Sequence, residues 1–365
     1  MKYITSAIIF SGVLFLSGCS LPGMGGSSAT VGQSAIQRSL DGGRIFTPQA
    51  TINEKTSFDS ASVLSMTITG EQGEIIYAGL ESGGIMKSKN QGDTWENLDF
   101  PPEKVYGIGT AGQEIVYAIG QWEERGRAYK SIDSGKNWEE IYAEPTGGTV
   151  LTSMAVNPQI PEMIFIGTSE GVVFKTTDAG QSWSGVATTK EPITSIIFDP
   201  REPRTIYLQL FGKSELMRSR DTGRTFERLQ PKITEKIVQV ENSDKPQKEP
   251  KEKSVGKITA IATSPAQAGL VILGTESGLV KSVDYGQTFE QMSVVGSVEE
   301  VPISAISADP QDTQKILFSA GQELYTYNNG AISPAKISIG SKQSVRLIER
   351  VSKAQGIIFA AMRAQ

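Results

Sequence analysis

The sequence predicts an all-β fold, a single β-propeller, and three observations carry that prediction. One octapeptide pattern recurs at near-constant spacing. Each interval between copies holds the same run of four short apolar or alternating segments. Glycine is abundant, at 38 of 365 residues, against an apolar content of 38%. That balance suits many short strands joined by tight turns.

The octapeptide has five near-complete copies. They are marked by Ser88, Asn90, Gly92 and Trp95; by Ser131, Asp133, Gly135 and Trp138; by Thr176, Asp178, Gly180 and Trp183; by Ser219, Asp221, Gly223 and Phe226; and by Ser282, Asp284, Gly286 and Phe289. The copies start at 88, 131, 176, 219 and 282, so they are separated by 43, 45, 43 and 63 residues. The last gap is one period plus an insertion of about 20 residues, and a fixed period of this length marks a repeat architecture. A worn sixth copy remains at Tyr327–Gly330.

Within each period an alternating run comes first, such as Leu151–Val156 or Ile193–Phe198. A turn containing Pro follows, as at Asn157-Pro158 and Asp199-Pro200, and then an apolar strand such as Thr205–Leu208. A glycine turn leads to a third strand, and the octapeptide opens a fourth. Four strands per period of about 44 residues is the pattern of a propeller blade. Six periods cover roughly 61–103, 104–146, 147–190, 191–233, 255–299 and 300–340. Two further strands are expected at Val345–Val351 and Gly356–Ala361, with the stretch Arg44–Ile52 pairing to them and closing the ring. Closure removes the exposed edges that template aggregation. Seven four-stranded blades are expected, with six as the alternative.

The turn chemistry is local. The glycines take φ > 0 without steric cost. Asp or Asn two residues earlier accepts backbone N–H bonds and folds the loop on itself. The closing aromatic buries a large ring against the neighbouring sheet. This octapeptide resembles the Asp-box of BNR and sortilin-type propellers, over roughly residues 60–340. The departures are Asn90 for Asp, Asn137 for Thr, and Phe for Trp in copies four and five. The resemblance implies that the motif is structural and lies on the face opposite any active site. Consistently, carboxylates one blade apart are too distant for paired acid–base work, which needs roughly 5–10 Å.

The start of the chain reads as an export signal. Met1-Lys2 is positive, and Ile4–Leu16 is mostly apolar but short for a bilayer span. It ends in Leu16-Ser17-Gly18-Cys19, which resembles the lipobox of bacterial lipoproteins. That resemblance implies cleavage before Cys19 and its acylation, giving a stable membrane anchor through several chains. The expected organisation is a signal peptide at 1–18, a lipidated Cys19 and flexible tether at 19–42, and the propeller at 43–365. The insertion at about 234–254 is charged and Pro-containing. It is expected to be disordered, as a tolerated loop insertion.

Composition narrows the function. The chain has no His and one Cys, which removes His-based triads, the commonest metal ligand and Cys-type zinc sites. A net charge of −5 argues against a nucleic-acid partner. No cofactor, metal or catalytic residue is expected. Two glycosidase classes share the Asp-box and serve as the alternative. Sialidases carry an Arg-Ile-Pro segment, of which Gly43-Arg44-Ile45-Phe46 is only a partial match. Xyloglucanase-type enzymes face two propellers across a cleft. Non-enzyme relatives include seven-bladed photosystem II assembly factors and peptide-binding sortilin-type domains. The expectation is a membrane-anchored, extracytoplasmic scaffold in the cell envelope. It engages an envelope protein, or alternatively a glycan, through the face opposite the Asp-boxes. Candidate contacts on that face are Trp122, Glu123, Glu124, Arg125 and Arg127 in blade two, with Phe211 and Lys213 in blade four, because aromatic and Arg anchors are enriched at binding hot spots. Carboxylates there that would favour an enzyme are Glu123, Glu124 and Glu215.

Overall fold

Seven antiparallel sheets of four strands each form a ring in the computed structural model, which describes residues 34–234, 252–292, 301–351, 354 and 356–364. Six sheets use strands consecutive in sequence. They span Val63–Leu98, Lys104–Ala143, Leu151–Thr188, Ile193–Leu229, Ile258–Gln291 and Ile303–Pro334, and are numbered here blades one to six. No helix occurs among the described residues.

Blade seven joins the two ends of the chain. Its first two strands are Gln343–Arg350 and Ile358–Ala364, and its third and fourth are Ile36–Ser39 and Thr47–Pro48. Ile36 pairs with Ala361 and Ser39 with Ile358. This corrects the sequence expectation in two respects. The strand bonded to the tail is Ile36–Ser39, not Arg44–Ile52. The propeller therefore begins inside the segment read as tether, and Ser34, Ile36, Gln37 and Ser39 are fully buried. Burial decides the register: Ile36 packs with Phe359 and Ala361 in one core cluster, whereas Arg44 and Ile45 remain exposed in the following turn.

The first strand of every blade lines a central channel. Each carries a one-residue bulge near its start, at Leu64, Tyr106, Thr152, Thr194, Thr259, Ser304 and Arg346. A bulge bends the strand and re-aims its side chain. Three of these residues then bind the next blade: the hydroxyls of Thr152, Thr259 and Ser304 donate to the carbonyls of Ile193, Ile303 and Val345 at 2.6, 2.6 and 2.8 Å. Glycine in the second strand lets the next blade press close. A Cβ at Gly79 would lie 2.6 Å from Val105, and one at Gly167 2.7 Å from Ile193.

The insertion after blade four opens as a hairpin, Lys232–Thr234 against Glu252–Ser254. Residues 235–251, most of the segment expected to be disordered, lie outside the described residues, as do Cys19, the signal segment and most of the tether.

Candidate functional site

Strand direction sorts the loops onto two faces. The Asp-boxes join third to fourth strands on one face, the box face. The hairpins between second and third strands, and the crossovers between blades, lie on the other, the crossover face.

On the box face the acidic groups are consumed by their own turns. In each copy the Ser or Thr hydroxyl donates to the Asp or Asn side chain, at 2.6–2.9 Å, and accepts the Gly N–H. The same side chain accepts the N–H four residues on, at Thr94, Asn137, Ser182, Thr225 and Thr288. Hydrogen bonds from Ser182 and Thr176 hold Asp178 down to about 2. Such carboxylates are spent as acceptors and have no proton to give near neutrality.

The structure adds a complete box, in blade seven, to the five near-complete copies and the worn one at Tyr327–Gly330 read from the sequence. Ser39 donates to Asp41 at 2.7 Å, Gly43 N–H donates to Ser39 at 2.9 Å, and Ile45 N–H donates to Asp41 at 3.0 Å. Phe46 supplies the buried aromatic. The segment Gly43–Phe46, compared above with a catalytic stretch, is therefore the second half of a structural turn in blade seven.

A cation precedes every box: Arg38, Lys87, Lys130, Lys175, Arg218 and Lys281. Four of them donate to the next blade's box, at the carbonyls of Gln91, Ser134, Thr222 and Tyr285, at 2.7, 2.7, 2.7 and 2.5 Å. Each of those carbonyls belongs to a residue at positive φ, so the cation and the strained turn form one inter-blade joint. Charge-assisted bonds of this kind are the stronger sort.

The crossover face presents side chains. In blade two the second and third strands run on to Trp122 and Arg125, which pair directly beneath a two-residue turn. Glu123 and Glu124 sit in that turn at φ 49° and 63°, the left-handed pair that matches hairpin twist. The crossover to blade three braces the tip: Gly148 N–H donates to Glu124 and Gly126 N–H to Thr149, both at 2.9 Å. Trp122 is thus held out from a fixed hairpin, 39% exposed. In blade four Phe211 is 66% exposed. Its loop is pinned to two crossovers, by Phe211 N–H to Pro192 and by Ile258 N–H to Lys213.

The seven candidate residues therefore divide by role. Trp122, Glu124, Arg125 and Phe211 are outward and exposed. Arg127 is held by Glu140 at 2.6 Å and Glu123 at 3.3 Å, and the Glu140 carboxylate raises its pKa. Lys213 is held by Glu191 at 2.8 Å. Glu215 is likewise ion-paired, to Arg228. Blade three separates the Trp122 and Phe211 loops, so one occupant would have to reach across it.

Sequence reading missed the channel. A cavity of about 370 Å³ lies between the seven first strands. Its lining is neutral, hydroxyl-bearing and apolar with the amide of Gln209, apart from two charged residues, Arg346 and Glu349, both on the first strand of blade seven. Arg346 donates to Ser344 Oγ at 3.1 Å and has no carboxylate partner among the described residues. Arg346 is exposed at the channel mouth by surface area, yet partial desolvation by the surrounding protein, aided by the like charge of Arg363, lowers its pKa. Glu349 has no hydrogen-bond or ion-pair partner among the described residues, and burial pushes it up to about 7. The available signal was a departure from the repeat. The other blades place Leu, Tyr, Thr or Ser at the bulge, and Thr67, Gly109, Ala155, Ile197, Ala262 and Ser307 three residues on.

Comparison with known proteins agrees with the architecture. Residues 126–255 match the family model Sortilin-Vps10, described as sortilin, neurotensin receptor 3. No curated protein matches the chain. Among solved structures, the GH74 xyloglucanase from Xanthomonas campestris is 14% identical with a TM-score of 0.62, covering 83% of this chain and 52% of that one. YCF48 from Cyanidioschyzon merolae is 14% identical with a TM-score of 0.60, covering 82% and 95%. A structure described as YCF48 bound to D1 peptide is 12% identical with a TM-score of 0.59, covering 82% and 93%. The chain thus spans about half the length of the glycosidase and nearly all of YCF48. At these identities the likeness is one of fold. Taken with the six boxed turns in a ring of seven blades, it shows the chain to be a β-propeller with Asp-box turns, of which residues 126–255 are similar to the sortilin type.

Proposed function

We propose that this protein is a membrane-anchored, extracytoplasmic binding propeller that engages an envelope protein through its crossover face, and that it is not an enzyme. One observation carries the reading. The crossover face holds Trp122 and Phe211 exposed on loops braced by backbone bonds, while the Asp-box carboxylates are used up in their own turns. A rigid, exposed aromatic contributes large contact area at little entropic cost, the character of an interface anchor. The single-propeller extent shared with YCF48, whose bound form holds a peptide, supports a protein or peptide ligand. The xyloglucanase likeness supports a glycan as the second reading.

The anchor is assigned to Cys19. The described chain enters the ring at Ser34 on the crossover face. The 15 residues from Cys19 to Ser34 span at most about 50 Å, which keeps that face within reach of a membrane partner.

The test is in-cell photo-crosslinking from position 122, followed by mass spectrometry. A discrete protein adduct, lost when the probe is moved to the box face at Ile132, is the expected result. No adduct from a folded protein overturns the protein-binding reading and leaves the glycan. Anchoring is read separately: Cys19→Ser should abolish labelling by a palmitate analogue and release the protein from the membrane fraction.

A further inference from the structure

The channel breaks the symmetry of the repeat in a way that the scaffold reading does not use. Six blades contribute only neutral side chains to the cavity lining; blade seven contributes Arg346 and Glu349. The two carry opposite charges in one cavity of about 370 Å³, yet they do not pair with each other or with any other side-chain charge among the described residues. Their backbones lie three residues apart on one strand, about 10 Å at 3.3 Å per residue, and Arg346 turns its guanidinium toward Ser344, away from Glu349. Between their levels the lining includes Met66, Met154, Ile306 and Ile348 beside polar residues such as Ser153 and Ser195. Arg346 is exposed at the mouth of the channel and Glu349 is half-buried within it; an unpaired carboxylate so placed carries a desolvation cost that the neutral residues of the other blades avoid.

We propose that the channel is a binding site for a small linear zwitterion, an aliphatic ω-amino acid whose carboxylate meets Arg346 and whose ammonium meets Glu349. Arg346 sits at the bulge near the crossover face, so the carboxylate end remains outermost and the ammonium goes deeper. A simple amine would be repelled at the mouth by Arg346. A simple carboxylate would leave Glu349 unpaired and be repelled by it. An α-amino acid holds its two charges too close together to reach both. The aliphatic chain of an ω-amino acid lies against the methionine and isoleucine wall, where burial of methylenes is favourable. Thr152, Thr259 and Ser304 spend their hydroxyl hydrogens on neighbouring carbonyls, which leaves oxygen lone pairs at the rim and disfavours a second anion there.

Isothermal titration of the exported, folded chain with 6-aminohexanoate tests this, alongside glycine, hexanoate and hexylamine. Saturable binding of 6-aminohexanoate is expected, at least tenfold tighter than any of the other three. Glu349→Gln and Arg346→Gln should each weaken it at least tenfold, with unchanged circular dichroism showing that the ring is intact. No binding by the wild-type chain overturns the proposal. So does hexylamine or hexanoate binding equally well, or binding indifferent to both substitutions. Neither the crosslink at position 122 nor the anchoring assay depends on the outcome.

Discussion

Replacing Glu349 by Gln removes one charge and little volume, and its effect on stability should depend on pH. In the folded chain the carboxyl titrates near 7, against an ordinary 4.5 for glutamate, because burial disfavours its charged form. Between those values the folded state holds the proton more tightly than the unfolded one, so stability falls as pH rises through this window. The full difference of 7 − 4.5 = 2.5 units corresponds to about 3.4 kcal/mol at 1.36 kcal/mol per unit. Glu349 is enclosed by protein but opens onto the channel and is only partly buried by surface area. Channel water therefore shares the charge, and a realised penalty of about 1–3 kcal/mol is more appropriate. The Gln variant should accordingly be more stable than wild type by about 1–3 kcal/mol at pH 8 and nearly equal at pH 4.5. Urea unfolding followed by tryptophan fluorescence at the two pH values measures both. An equal effect at both pH values, or a variant less stable at pH 8, would show that Glu349 is ionised and compensated, refuting the reasoning.

Three further outcomes concern the joints between blades. Ser219→Ala leaves the buried Gly223 N–H and one Asp221 lone pair without a partner and should cost about 1–3 kcal/mol by urea unfolding. Gly223→Ala forces a side chain onto φ +77° with its Cβ 2.5 Å from the Phe165 ring, and a larger loss of about 2–4 kcal/mol is expected. Arg218→Met keeps the apolar stem but frees the Tyr285 carbonyl and breaks the ion pair with Glu227. A cost of about 1.5–3 kcal/mol, little changed by added salt because Arg218 is buried, would separate this joint from a surface ion pair; a loss abolished at high salt would count against it.

Much of this architecture is local in origin and therefore readable along the chain. The octapeptide folds through bonds between residues two to four apart, so Ser131, Asp133 and Gly135 announce their turn without reference to anything distant. A recurring turn at blade spacing, with four short strands between copies, is enough to specify a propeller. The braced hairpin at Trp122 was also legible, as a break in a pattern of short loops, although its ion pairs from Arg127 were not. What the sequence left open depends on partners far along the chain. Pairing of Ile36–Ser39 with Ile358–Ala364 joins residues some 320 positions apart, and the sequence reading places the closing strand at Arg44–Ile52 and Ile36–Ser39 in the tether. Burial of Ile36 against Phe359 and Ala361 overrides that placement. The cations before the boxes look like ordinary strand-end charges until the next blade's carbonyl is seen above them. Arg346 and Glu349 are two charges in an amphipathic strand when read linearly. Only ring closure sets them in the same channel, facing neutral residues from six other blades, because a central cavity belongs to no single repeat and exists only once all seven have met.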